Sequence, residues 1–173
     1  FNEDGEYSIQ VIVPEEQAAH VCEQLDSMVN AKHAEAVKDN PKLKTVLSTR
    51  QAYTQDVDEA GNPTGNLVFK AKMKAVVKSK DGQSWEQKPM VVDAKRTPMQ
   101  GTALIGNGSL VNVAAEPVPY VMAATKQVGV TLRLKAVQVI NLVEYGGSTA
   151  SIFDEEDGYV TSAVTKDDAA DVF

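Results

Sequence analysis

Cysteine is nearly absent: Cys22 is the single one in 173 residues, which excludes an internal disulfide framework and a thiolate-only metal cage within one chain. Histidine is almost as scarce, with only His20 and His33, and that leaves little for hydrolytic catalysis. There is no Gly-x-Ser-x-Gly elbow and no His-Glu-x-x-His pair. Uncharged apolar runs fall far short of the about 20 residues a membrane helix needs, so no membrane association is expected. The chain opens Phe1-Asn2-Glu3-Asp4 with neither an initiator Met nor a basic-then-apolar leader; no secretory signal is expected, and a few upstream residues are expected to be missing. Basic residues are outnumbered 17 to 24, for a formal charge of −7 and a pI near 4.8, a balance that at first sight speaks against nucleic acid. What is present is a globular composition, 43% apolar with mean hydropathy −0.25, at a length suited to one domain.

The charge is segregated. Residues 1–64 hold 12 acidic and 5 basic side chains, and residues 150–173 hold 7 acidic against Lys166. Residues 65–135 reverse the sign, with 11 basic against 4 acidic. A basic middle flanked by acidic ends is informative where net charge is not.

Glu6 to Val13 alternates and reads as a strand ended by Pro14. Pro14-Glu15-Glu16 then suits a helix start, and Ala18, Val21, Cys22, Leu25, Met28 and Val29 recur at helical spacing, so the helix runs to about Lys38 before Asn40-Pro41 stops it. Residues 41–65 have little periodicity, and 58–65 reads as a loop. From Leu67 to Lys78 a period of two places Lys70, Lys72, Lys74 and Lys78 on one face and apolar residues on the other. Lys80-Asp81-Gly82-Gln83 signals a turn, and Trp85 to Ala94 reads as the returning strand. Leu104-Ile105, Gly106-Asn107-Gly108 and Leu110 to Ala115 suggest a second hairpin, with Pro117 and Pro119 interrupting the chain beyond it. Gly129 to Tyr145 reads as the last strand, with Arg133 and Lys135 on the face opposite Val130, Leu132, Leu134 and Ala136, and both faces apolar beyond Val137, as if covered on both sides. These elements imply a mainly β fold: an oligonucleotide-binding (OB-type) barrel with one packed helix over residues 1–147, then a flexible acidic tail over 148–173.

The lysine face suits phosphate binding, since affinity for nucleic acid comes largely from displaced counterions; it also suits an edge strand guarded against pairing, in a β-rich structural or assembly protein. Arg133 and Lys135 repeat the pattern on a second strand and Lys95-Arg96 adds to it, with no acidic partners interleaved, which favours phosphate. Single strands also need flat rings on which bases stack. Of ten aromatics, Trp85, Tyr53 and Tyr120 are the stacking candidates, while Phe69 falls on the apolar face. Consecutive acids at 154–157 have no fixed geometry, so a nuclease using them ranks third. The ending Asp167-Asp168-Ala169-Ala170-Asp171-Val172-Phe173 combines an aromatic plug with a steering charge, suited to a basic-rimmed pocket on a partner or to the chain's own groove. His20, Cys22 and His33 share a helix but not a face, so no metal is expected, nor any cofactor or enzymatic activity. A single-stranded DNA binder is the expectation, but phosphate contacts and stacking do not read the sugar, so RNA stays open beside it, as does an oligomer.

Several strings then carry a resemblance: Gly82-Gln83-Ser84-Trp85-Glu86, Val91-Val92-Asp93-Ala94-Lys95, Ile105-Gly106-Asn107-Gly108-Ser109, and Gly129-Val130-Thr131-Leu132-Arg133-Leu134-Lys135-Ala136-Val137-Gln138-Val139. With the opening Phe1 to Tyr7 and the acidic ending in Phe173, the chain resembles bacteriophage single-stranded-DNA-binding (helix-destabilising) proteins over most of its length except residues 40–62. The last long motif is the most specific. The resemblance implies an OB-type fold, protection of single strands in phage DNA replication and recombination in the cytoplasm of an infected bacterium, and contacts between the acidic tail and replication proteins. The candidate residues rest on the physical reading instead: Lys70, Lys72, Lys74, Lys78, Lys95, Arg96, Arg133 and Lys135 for phosphates, Trp85, Tyr53 and Tyr120 for bases, and Asp167, Asp168, Asp171 and Phe173 for a partner.

Overall fold

A computed structural model describes residues 5–79, 81–99 and 105–144; the acidic tail, with Asp167, Asp168, Asp171 and Phe173, lies outside the described residues, as do Lys80, Leu104 and Tyr145. The first alternating stretch forms β1 (Glu6–Pro14) and passes directly into the helix α1 (Glu15–Asp39). Pro14 caps the helix, Glu15 and Glu16 occupy its first turn and Lys38 its last, each charge matched to the dipole end it faces. Ala18, Cys22, Leu25, Val29 and Ala36 form its buried stripe, whereas Val21, expected on that stripe, is 46% exposed.

The stretch with little periodicity is structured. A 3₁₀ turn (Pro41–Thr45) leads into two short strands, β2 (Ser48–Arg50) and β3 (Tyr53–Val57). A loop then closes on Asp58, whose carboxylate accepts from the backbone N–H groups of Ala60 and Asn62. Those bonds, that from the Asn62 backbone first, hold its pKa below the ordinary value. The lysine strand, β4, spans Pro63–Lys74. It starts four residues before Leu67 because its first residues pair with β3, a contact that alternation does not require.

β4 is an interior strand, flanked along its length by β1 on one side and by β3, then the last strand, on the other. Its lysines therefore do not guard a sheet edge. The chain breaks at Ala75 into a small separate hairpin, β5 (Val76–Lys78) and β6 (Ser84–Glu86), turned at Gly82 (φ 80°). The expected return from Trp85 to Ala94 is cut short: Gln87 folds back onto the end of β4 (N to Ala75 O 2.8 Å) and Pro89 intervenes. The next strand, β7 (Met90–Val92), runs parallel to the last strand rather than back along β4.

The Gly106–Ser109 turn is present but does not close a hairpin with Ile105. Ile105 bridges Glu144, and the Ser109 hydroxyl donates to Gly106 O (2.8 Å) and accepts from Val143 N–H (3.0 Å), tying the turn to the chain that leaves the sheet. β8 (Leu110–Met122) then runs unbroken through Pro117 and Pro119. Two prolines at alternate positions direct their missing donors to one side; β8 pairs with its antiparallel neighbour β9 (Gln127–Asn141), and no other strand among the described residues meets the side without donors.

β9 is the spine of the seven-stranded sheet: β8 pairs along one side, and β2, β4 and β7 in turn along the other. Its buried hydrophobic residues are Val128, Val130 and Leu134, then Val137 and Val139. The change of parity is a β-bulge: Ala114 opposes Ala136 and Ala115 opposes Leu134, leaving Lys135 as the extra residue. One face is thus kept inward across a register shift, in place of the two-sided cover expected beyond Val137; Ile140 is 43% exposed. Two linked cores result. One packs α1 against Leu67, Phe69, Val128 and Val130; the other joins Ala71, Met73, Leu134, Val137 and Val139. The whole is a mainly β, OB-type fold with one packed helix. Leu134→Ala should therefore cost about 2–5 kcal/mol in chemical denaturation, whereas Ile140→Ala should stay within about 0.5 kcal/mol; equal losses would contradict the parity change.

Candidate nucleic-acid interface

The pairing of β4 with β9 is short and parallel, Ala71 opposite Leu132 and Lys72 opposite Arg133. Strand alternation turns Ala71 and Leu132 inward, so Lys70, Lys72 and Lys74 emerge on the outer face beside Arg133 and Lys135. These five cations line one open cleft of about 890 Å³, together with Arg50, Trp85, Tyr120, Thr131, Met122 and others.

Each aromatic in the cleft has a local reason for its place. Trp85 sits on β6 opposite Val77 and is 50% exposed. Its hairpin is held to the end of β4 by Gln87, whose backbone N–H reaches Ala75 O and whose side chain donates to Lys74 O (2.9 Å). Tyr120 lies on β8 opposite Gly129, which on its other side pairs with Arg50. A Cβ at Gly129 would stand 2.8 Å from the Tyr120 hydroxyl oxygen and 3.1 Å from the Arg50 carbonyl oxygen. The glycine thus leaves room for the ring to lie across the strand, in the row Arg50–Gly129–Tyr120.

Two carboxylates reach the same cations. Glu6, on β1, lies 2.7 Å from Lys72 Nζ. Glu116, on β8 opposite Arg133, lies 2.8 Å from Lys135 Nζ and 3.8 Å from the Arg133 guanidinium. The hydrogen bond from Lys135, followed by the charges of Lys135 and Arg133, holds the Glu116 carboxyl below its ordinary pKa. The expectation that no acid interleaves with Arg133 and Lys135 is thereby corrected; Glu116 lies far from them in sequence and adjacent across the ladder.

The other candidates lie elsewhere. Tyr53 points inward from β3: its ring meets Phe69 at 5.7 Å between centroids, and its hydroxyl donates to Asp26 of α1 at 2.9 Å. Burial, then the Asp26 hydrogen bond, pushes its pKa well above the ordinary phenol value, and burial also pushes the Cys22 thiol up beside it. Tyr53 therefore joins helix to sheet, half-buried and outside the cleft lining. Lys78 is on β5, outside the cleft lining. Lys95 and Arg96 occupy a turn in which Asp93 accepts from Lys95 N–H and Thr97 N–H, both at 2.8 Å, with Arg96 in the left-handed region (φ 67°); this turn is also outside the cleft. Arg50 is the cation that sequence reasoning passed over. Its strand is three residues long, too short to display alternation, and it joins the sheet through a nonlocal parallel contact.

Among the described residues no group of three or more His, Cys, Asp and Glu side chains is arranged to hold a metal, and no helix is long and apolar enough to cross a membrane. An OB-type sheet with six cations, an exposed Trp85 and a half-buried Tyr120 along one open cleft has the features that suit nucleic-acid binding. Comparison with known proteins narrows the class. The family model described as single-stranded DNA-binding protein, bacteriophage T7, matches residues 1–142. The single-stranded DNA-binding protein of Escherichia phage T7 is 26% identical over 176 aligned positions, covering 95% of this chain and 75% of that protein. Its crystal structure superposes with a TM-score of 0.68 at 24% identity, over 91% of this chain and 86% of that one. A single-stranded DNA-binding protein from bacteriophage Enc34, solved in complex with single-stranded DNA, gives 0.53 at 18% identity, over 85% and 79%. The chain belongs to the T7-type single-stranded DNA-binding protein family, a family of binding proteins rather than enzymes.

Tyr53→Phe separates the helix anchor from the cleft. It should destabilise the fold by about 1–3 kcal/mol at neutral pH while leaving affinity for a single-stranded oligonucleotide unchanged. The sign of the pH effect follows from the raised pKa: stability is fully present below about pH 10, where the unfolded phenol ionises, and declines as pH rises above it. Urea unfolding of both proteins should show that alkaline decline reduced in the variant; a loss of DNA affinity instead would return Tyr53 to the binding surface.

Proposed function

We propose that the chain is a non-catalytic, sequence-tolerant single-stranded DNA-binding protein serving phage DNA replication and recombination in the cytoplasm of the infected host, and that the strand lies in the cleft between β4, β6, β8 and β9. The observation carrying this reading is the convergence of Arg50, Lys70, Lys72, Lys74, Arg133 and Lys135 with Trp85 and Tyr120 on one surface. The cations neutralise phosphates, and the two rings receive bases by stacking, which every base supports. Neither kind of contact reads base edges, so sequence tolerance follows.

The acidic segment 148–173 supplies the second part of the proposal. Its seven acids and terminal Phe173 suit a basic-rimmed pocket on a replication protein, and the same charge suits the cleft when DNA is absent. The interior position of β4 removes the support for an assembly protein with a guarded edge.

Affinity for oligo-dT measured against salt tests the reading in the full chain and in a chain ending before Asp154. Log K should fall against log salt with a slope of about −0.7 per phosphate contact, reaching about −4 if six cations engage, and Trp85 fluorescence should be quenched on binding. The shortened chain should bind more tightly and lose its interaction with a replication protein. A flat salt dependence would reject the cleft, and a truncation without effect on either interaction would reject the role of the tail.

A further inference from the structure

Half of the cations lining the cleft have carboxylate partners: Glu6, which lines it, and Glu116, which reaches them from β8. Of its six cations, Lys72 is held by Glu6, and Lys135 and Arg133 by Glu116; Arg50, Lys70 and Lys74 have no carboxylate partner among the described residues. Glu116 is placed for this by the fold, since its backbone sits opposite Arg133 in the β8–β9 ladder, two residues beyond the bulge that turns Lys135 out. Its oxygen at 2.8 Å from an ammonium, with a guanidinium alongside at 3.8 Å, occupies the position that a phosphate oxygen takes when bound by such a pair. Both carboxylates are substantially exposed, with side chains at 34% for Glu6 and 49% for Glu116, so a strand entering the cleft reaches them without disturbing the core.

We propose that Glu116, assisted by Glu6, is a resident substitute for DNA phosphate: it holds Lys135 and Arg133 in the free protein, gives them up to a phosphate when a strand binds, and thereby sets the affinity below what the cations alone would reach. This rests on the cleft being the DNA surface. Lys72 and Arg133 are directly opposite across the parallel contact, and like charges so placed repel. The carboxylates relieve that repulsion while the cleft is empty, and phosphates relieve it when the cleft is filled. The exchange replaces one counter-charge by another, so the strand gains less than it would from bare cations, and release is correspondingly easier. The depressed Glu116 pKa agrees with a carboxylate that stays ionised and paired in the empty cleft.

The test uses the full chain and oligo-dT, across salt from about 50 to 200 mM. Glu116→Gln should tighten binding about two- to five-fold at the low end, the scale of an exposed ion pair, with the gap narrowing as salt screens the cleft. Glu116→Asp keeps the charge and should stay near the parent affinity. Glu59→Gln, in the loop closing β3 and β4, adds the same unit of net charge outside the cleft and should change binding far less. Binding that is unchanged or weaker in Glu116→Gln overturns the exchange, as does equal tightening in Glu59→Gln. The paired variant Arg50→Ala/Lys70→Ala keeps the two failures apart. If it leaves affinity intact, the cleft itself is rejected; if it weakens binding while Glu116→Gln does nothing, only the exchange is rejected.

Discussion

Two residue pairs hold this molecule's basic cleft together. Where β4 and β9 run parallel, Ala71 meets Leu132 and Lys72 meets Arg133. Beneath that contact the second core closes, with Ala71 at 1% and Leu134 at 2% exposure; above it, two basic rows from distant parts of the chain become one surface. Burial of the lower side supplies the free energy, and the upper side opposes it by placing like charges side by side. Glu6 and Glu116 occupy the positions where such repulsion is relieved. The cleft is a compromise between a core that draws these strands together and charges that push them apart.

The features around that contact adjust the sheet to it. The bulge at Lys135 lets β9 keep an apolar side inward along its whole length while advancing a cation outward. The prolines of β8 are tolerated because no strand among the described residues pairs with its far edge. Gln87 returns the β5–β6 hairpin to the end of β4 and so sets Trp85 beside the lysines, while Gly129 gives the Tyr120 ring its seat next to Arg50. The rings and cations therefore share a surface through main-chain geometry rather than through their own contacts.

Much of this is legible in the sequence because strong alternation is a local property. The helix over 15–39, the lysine strand and the row Arg133–Lys135 follow directly from spacing, and so does the pairing of Trp85 with a turn at Gly82. What escapes is nonlocal. β2 and β3 are too short for a period to show, so Arg50 stays hidden, and Tyr53 in the same stretch reads as a surface ring although it anchors α1 through Asp26. The bulge disguises itself as a two-sided apolar run, because a shift of parity and a doubly covered strand look alike in one dimension. Pro117 and Pro119 read as a break since nothing in sequence marks an edge strand. Lys95 and Arg96 group with the cleft by sign alone, although the Asp93 turn carries them elsewhere.

Net charge of −7 describes the chain poorly, since binding depends on the charge that a strand meets within a Debye length of about 10 Å. Among the described residues, six cations line the cleft with Glu6 beside them, and Glu116, on β8, pairs with two of those cations. Photocrosslinking a bromouracil-substituted single strand to the intact protein, with the linked peptides identified by mass spectrometry, tests its location most directly. Cross-links should fall on Trp85 and Tyr120. Cross-links confined to Tyr53, to α1 or to the Asp93 turn, with none in the cleft, would contradict it.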